Sequence, residues 1–250
     1  MTDHIKDAPG LKFSWSHQGR LHRLLVRLVN RILVLVPFKL KYFLVRQVKK
    51  RQIPYSLIKG LSVVQVGAPY DTLNAGRSRG MMFSLMAGVD GRVLIVEPLR
   101  ESVDAFRSRL SELDINNTTV HEAGAWSSKT ESVINVDVAH PATNFTSDTV
   151  DYDEERISEY SQVKIQLDTL DNILIQNDLD NVDLVSITTN WAEEEILRGM
   201  EKVIANGIKY ICLAYGKDGE DYSKHMEQMG YFALSHDDRG VTYQRNVDAA

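Results

Sequence analysis

The chain has 250 residues, 43% of them apolar, and a net charge of −5; that is enough for one large domain with an extension, or two small domains, and it excludes a chain disordered throughout. A single cysteine, Cys212, excludes an intrachain disulfide and a cysteine-cluster metal site. The charge is split: residues 1–70 carry 13 Lys and Arg against 2 acids, residues 71–250 carry 16 against 32, and no acid occurs between Asp7 and Asp71. A basic arm therefore precedes an acidic body, and the body's charge disfavours nucleic acid as a partner.

Residues 1–17 read as a polar leader without the apolar core or small-residue cleavage site of a secretory signal. Residues 20–36 have helical periodicity, with Leu21, Leu24, Leu25, Leu28, Val29, Ile32, Leu33 and Val36 on one side and Arg20, Arg23, Arg27 and Arg31 on the other. Pro37 ends or kinks that helix. A second segment, 38–51, mixes Phe38, Leu40, Phe43 and Leu44 with Lys39, Arg46, Lys49, Lys50 and Arg51. The apolar run Ile32–Phe38 is too short to span a bilayer. The arm suits an anionic membrane surface, nucleic acid, or a packing face on the body or on a second copy in a homodimer.

From residue 61 the pattern becomes α/β. Strands are predicted at 62–67, 92–97, 117–122, 182–188 and 208–214, and helices at 79–88, 99–113 and 192–205. Continuous apolar strands alternating with amphipathic helices imply a mostly parallel sheet with helices on both faces. Residues 123–181 are less regular and read as an insertion on the ligand side, with strands near 131–138 and 162–167 around an acidic loop at 139–160. A helix at 219–229 is followed by two alternating runs, 231–236 and 241–245, around Asp237–Gly240, the signature of a β-hairpin. The boundary falls at residue 60, with 1–60 a basic helical extension and 61–250 the α/β domain.

Three strand ends carry candidate chemistry. Gly67 ends the first strand, where the backbone turns and a ligand comes close, but the loop lacks the G-x-G-x-x-G of dinucleotide sites. Glu97 ends the second strand, where a carboxylate can accept both hydroxyls of a ribose. The fourth ends near Thr188, with Asn190 and Glu193 either facing a reacting group or closing a capping box on the next helix. Arg77 and Arg79, set between glycines at a helix entrance, suit a carboxylate or phosphate, or are simply solvated.

In order and spacing these pieces resemble the FkbM methyltransferases over roughly residues 61–216. The matching segments are Gln65-Val66-Gly67-Ala68, Gly91 through Glu97-Pro98, Glu122-Ala123-Gly124-Ala125-Trp126, Leu167-Asp168-Thr169-Leu170, and Ser186 through Glu193 with Leu197 and Gly199. The terminal hairpin is likewise the expected ending of a class I, Rossmann-like methyltransferase. The resemblance implies S-adenosylmethionine as donor, held by Gln65, Gly67, Ala68, Asp71, Glu97, Glu122 and Ala123, with Thr188, Asn190 and Glu193 at the reaction centre. It implies O-methylation of a sugar, glycolipid or secondary-metabolite hydroxyl, carried by a small or lipid-linked acceptor, in the cytoplasm or at the membrane's inner face.

The chain departs from the family where Gln65 and Thr188 replace Asp, Ser186 replaces Lys, Asn190 replaces Glu and Trp191 replaces Gly. Thr and Asn hydrogen-bond but take no proton near neutrality, so Asp71, His121, Glu122 and Glu193 are the remaining base candidates. With those acids gone and no His/Cys cluster in their place, no divalent metal is expected. The rival readings are a binding or scaffold protein that keeps the fold without turnover, and a nicotinamide enzyme, which the missing glycine-rich loop disfavours.

Overall fold

A computed structural model of the chain describes residues 36–137, 144–146, 160–216, 219, 221–237 and 239–246. All but the end of the helix predicted at 20–36, and most of the acidic loop predicted at 139–160, lie outside these residues.

The main sheet contains β1 (Ser62–Val66), β2 (Arg92–Glu97), β3 (Thr118–Glu122), β8 (Leu184–Ile187), β9 (Tyr210–Ala214), β10 (Tyr231–His236) and β11 (Gly240–Arg245). Its order is β3-β2-β1-β8-β9-β11-β10, with β11 antiparallel to both neighbours and the other pairs parallel. This is the class I methyltransferase arrangement expected from the sequence, including the last strand inserted between β9 and β10.

Helices cover both faces, sorted by chain position. One face holds α1 (Phe38–Lys49), α2 (Tyr70–Asn74), α3 (Arg79–Ala87) and α4 (Arg100–Glu112), whose Tyr42, Leu73, Phe83 and Phe106 are fully buried against Val63 and Ile95. The other holds α5 (Leu170–Gln176), α6 (Glu193–Arg198), α7 (Glu201–Ala205) and α8 (Ser223–Gln228), whose Leu170, Ile196, Val203 and Met226 belong to one core with Val64, Val185 and Ile211. Helix α1 belongs to the body: the Tyr42 hydroxyl donates to Leu73 O at 3.0 Å and Lys41 Nζ to Asn74 O at 2.7 Å.

One expectation is corrected. The helix predicted across 192–205 is broken into α6 and α7, because Gly199 lies against the Trp126 carbonyl with no room for a Cβ. The Asp171 carboxylate, on α5, then caps the new start by accepting from Lys202 N and Val203 N, each at 3.0 Å. The irregular stretch 123–181 contains a second sheet, ordered β4-β7-β5-β6, built from β4 (Gly124–Trp126), β5 (Thr130–Val136), β6 (Phe145–Thr146) and β7 (Ser161–Thr169). Its Ile134, Ile165 and Leu167 form a small core of their own with Leu99.

Candidate functional site

The carboxyl ends of β1, β2 and β8 meet at an open cavity. Gly67, Pro69, Glu97, Pro98 and Thr188–Asn190 line the side of the main sheet. Gly124–Trp126, Ile134, Phe145, Ile165 and Leu167 line the opposite wall, so the second sheet is one side of the site.

Gly67 is at φ 84°, and a Cβ there would lie 2.5 Å from Thr188 O. Only glycine lets β1 and β8 approach this closely while the chain turns under the cavity. Glu97 is 5% exposed, and Ala68 N and Leu99 N donate to its two oxygens at 2.7 and 3.1 Å. Burial pushes its pKa up to about 7, against the pull of those two N–H groups. A carboxylate has about four acceptor positions, so capacity remains for a diol from the cavity.

The changed residues on β1 and after β8 are tied in place. Gln65 is fully buried and its Nε2 donates to Thr188 Oγ1 at 2.7 Å and to Gly67 O at 2.9 Å. The amide therefore joins β1 to β8 beneath the cavity, and the Gln65 side chain lines neither this cavity nor the second one described below. Asn190 Nδ2 donates to Asn144 O at 2.6 Å, bridging the main sheet to β6. It does not cap α6, whose N-cap is Ala192. Glu193 closes the loop from inside: its Oε1 accepts from Thr189 N and Thr189 Oγ1 at 3.1 and 3.0 Å, while its Oε2 has no partner among the described residues. Burial raises its pKa to about 7. Trp191 keeps the left-handed backbone, φ 68°, at the position where the resemblance has glycine.

A second cavity adjoins the first and shares Gly67, Pro69 and Thr188–Asn190 with it. Thr72, Ser78, Arg79, Ala214 and Arg239 complete its lining. Of the two arginines singled out in sequence, Arg79 enters this cavity and pairs with Asp237 at 2.5 Å, whereas Arg77 is exposed. Arg239, from the hairpin turn, takes the second place.

Of the residues expected at the site, Gly67, Glu97, Thr188 and Asn190 come together at the first cavity. Ala68 reaches it only through its N–H to Glu97, and Ala123 is buried beside it without lining it. Asp71 is in the first turn of α2, and Glu122 faces Arg100 at 3.6 Å. His121 contacts Asn177 at 3.1 Å and its pKa is lowered by burial. None of the four base candidates, Asp71, His121, Glu122 and Glu193, lines either cavity. Gly124–Trp126 and Leu167 lie in segments the sequence singled out, whereas Ile134, Phe145, Ile165 and Arg239 reach the cavities through long-range pairing that leaves no local signal.

The FkbM methyltransferase domain model matches residues 65–238. No curated protein matches the sequence. Among solved structures, the chain is similar to the methyltransferase FkbM of Methylobacillus flagellatus KT (16% identity, TM-score 0.48, 74% of this chain and 43% of that one). It is similar to a Geobacter sulfurreducens methyltransferase (11%, TM-score 0.45, 84% and 78%) and to Aeropyrum pernix fibrillarin in complex with natively bound S-adenosyl-L-methionine (13%, TM-score 0.42, 82% and 74%). The chain thus spans less than half of the Methylobacillus protein's length. With the family model matching well over half of the chain, from β1 to the hairpin turn, this protein belongs to the FkbM methyltransferase domain family.

Proposed function

We propose that the chain binds S-adenosylmethionine in the first cavity and transfers its methyl group to a hydroxyl of a sugar, glycolipid or secondary metabolite. The observation that carries the reading is the pairing of Gly67, whose missing Cβ opens the turn after β1, with Glu97 at the end of β2. The residues fit the donor: Glu97 has acceptor capacity for the ribose hydroxyls, and the apolar wall of the second sheet suits the adenine ring. When bound, the donor supplies a methyl already activated by a sulfonium.

The protein's part is then alignment, which contributes much of the rate in such a displacement. Thr188 and Asn190 stand where the two cavities join, held by Gln65 and by Asn144 O. Glu193 fixes the backbone between them through Thr189. The chain supplies no metal-binding cluster of three or more His, Cys, Asp or Glu among the described residues, and the proposed transfer does not call for one.

The absence of every candidate base from both cavities favours a second reading, a protein that binds the donor without turnover. Methyl transfer from labelled S-adenosylmethionine, tried on sugar, glycolipid and polyol acceptors, separates the two. Label in an acceptor supports the enzyme; donor binding with no transfer to any acceptor supports the binding protein.

For location, we propose a cytoplasmic protein attached to an anionic bilayer through α1 and the arm before it. Leu40, Phe43, Leu44 and Val48 are 46–69% exposed on α1. Lys39, Arg46 and Lys49 flank them, and no acid occurs from residue 8 to residue 70. No described helix is long and apolar enough to cross a membrane.

A further inference from the structure

The second cavity has a lining the proposed methyl transfer has not yet used. Among the described residues it is lined by two arginines, Arg79 and Arg239, together with Thr72 and Ser78, and by no carboxylate. That composition is selective in a body whose residues 71–250 carry 32 acids against 16 cations.

The arginines are built into the fold. Arg79, in the first turn of α3, is 4% exposed and is held by Asp237 Oδ2. The same Asp237 uses its Oδ1 to accept from Arg239 N and Gly240 N, at 2.7 and 3.1 Å, which shapes the turn between β10 and β11. Arg239 Nη2 in turn donates to Arg77 O at 2.9 Å, across 162 residues of chain. The hairpin is thereby pinned to the start of α3, and both arginines line the cavity. The positive end of α3 adds to the charge that the two arginines bring.

The place of the cavity is informative too. It opens at the carboxyl ends of β1, β8 and β9 through Gly67, Thr188 and Ala214, and it meets the first cavity at Thr188–Asn190. Two cavities that share one junction are the geometry of a two-substrate site, with the reacting atoms at the shared wall.

We propose that the second cavity is the acceptor site and that the acceptor carries a phosphate or carboxylate, gripped by Arg239 and Arg79 while its hydroxyl lies at the junction. Planar guanidinium forks match both anions, and a fixed fork loses little freedom on binding. The proposal rests on the methyl-transfer reading.

The test is a titration of full-length protein with inorganic phosphate, and separately with acetate, followed by the side-chain Nε–H signals of Arg79 and Arg239. It is run with and without saturating S-adenosylhomocysteine. Phosphate is expected to shift both signals in both conditions. Arg239→Gln is expected to weaken phosphate by about tenfold or more, the worth of one charged hydrogen bond, with S-adenosylhomocysteine affinity unchanged. Arg239→Lys is expected to retain part of the phosphate affinity. A shift strengthened by phosphatidylglycerol vesicles identifies a lipid headgroup, and one by free phosphate alone a soluble acceptor. Signals unmoved by either anion overturn the proposal. So does a loss of S-adenosylhomocysteine affinity in Arg239→Gln, since the cavity would then hold the donor's own carboxylate. A chain that takes phosphate but never S-adenosylhomocysteine refutes the methyl-transfer reading and keeps the anion site.

Discussion

At the scale of single residues the site depends on two buried carboxyl groups with different tasks. Glu97 faces the first cavity with a pKa near 7. Ribose hydroxyls donate to the charged form, so a bound donor lowers that pKa, and binding strengthens as the free protein's Glu97 ionises. Affinity for S-adenosylhomocysteine is expected to rise from about pH 6 to about pH 8 and then level off, and Glu97→Gln to weaken binding by about 1.5–3 kcal/mol and flatten that profile. Calorimetry across pH reads both; a profile equally steep in a folded Glu97→Gln variant refutes the assignment.

Glu193 is fully buried behind Thr189, with a pKa of about 7 where the ordinary value is 4.5. A pKa raised by folding means the folded state favours the neutral acid, so ionisation removes stability progressively between those two values. The full loss, about 3 kcal/mol, is reached above about pH 7. Glu193→Gln is therefore expected to be more stable than the parent at about pH 8, the gain vanishing toward about pH 4.5. Denaturant midpoints at the two ends check this, and a gain independent of pH contradicts it. Neither environment is legible in the sequence. Glu97 could be placed at a strand end, but its partners Ala68 N and Leu99 N follow from how two loops fold over it.

At the scale of elements, periodicity located most of the main sheet. The predicted strand 92–97 coincides with β2, and the helices 79–88 and 99–113 differ from α3 and α4 by a residue or so at each end. The failures share one cause, contacts distant in sequence. Ile196, Leu197, Met200, Val203 and Ile204 keep one helical spacing, yet Trp126 O against Gly199 and Asp171 beneath Lys202 divide the segment in two. Asp171→Ala is expected to leave two N–H groups at the start of α7 without their acceptor and to lower stability by about 1–2 kcal/mol. An unchanged thermal midpoint would mean that water replaces the cap without loss. In the second sheet β5 and β7 answer to the strands predicted near 131–138 and 162–167, but the pairing of β7 with both β4 and β5 is long-range and was not legible.

At the scale of the whole molecule, the split charge of the sequence takes on a geometry. Helix α1 is anchored to the body through Tyr42 and Lys41, beside α2 and the loop leading to Arg77 and Arg79. Packing the arm onto α1 would bring two acid-free basic segments together, whereas anionic lipid neutralises both. Co-sedimentation with anionic vesicles is expected, weakening with salt and with Phe43→Ser/Leu44→Ser; protein that stays in the supernatant with every vesicle refutes attachment, and a dimer broken by those substitutions assigns the face to a second copy.

The ligand of the first cavity decides whether the protein is a methyltransferase. Calorimetric titration of the full chain with S-adenosylhomocysteine and, separately, with NAD tests this directly. Saturable one-to-one binding of S-adenosylhomocysteine, weakened in a folded Glu97→Gln variant, with no heat from NAD, is the expected result. A folded protein that binds NAD in preference, or that binds neither, contradicts it.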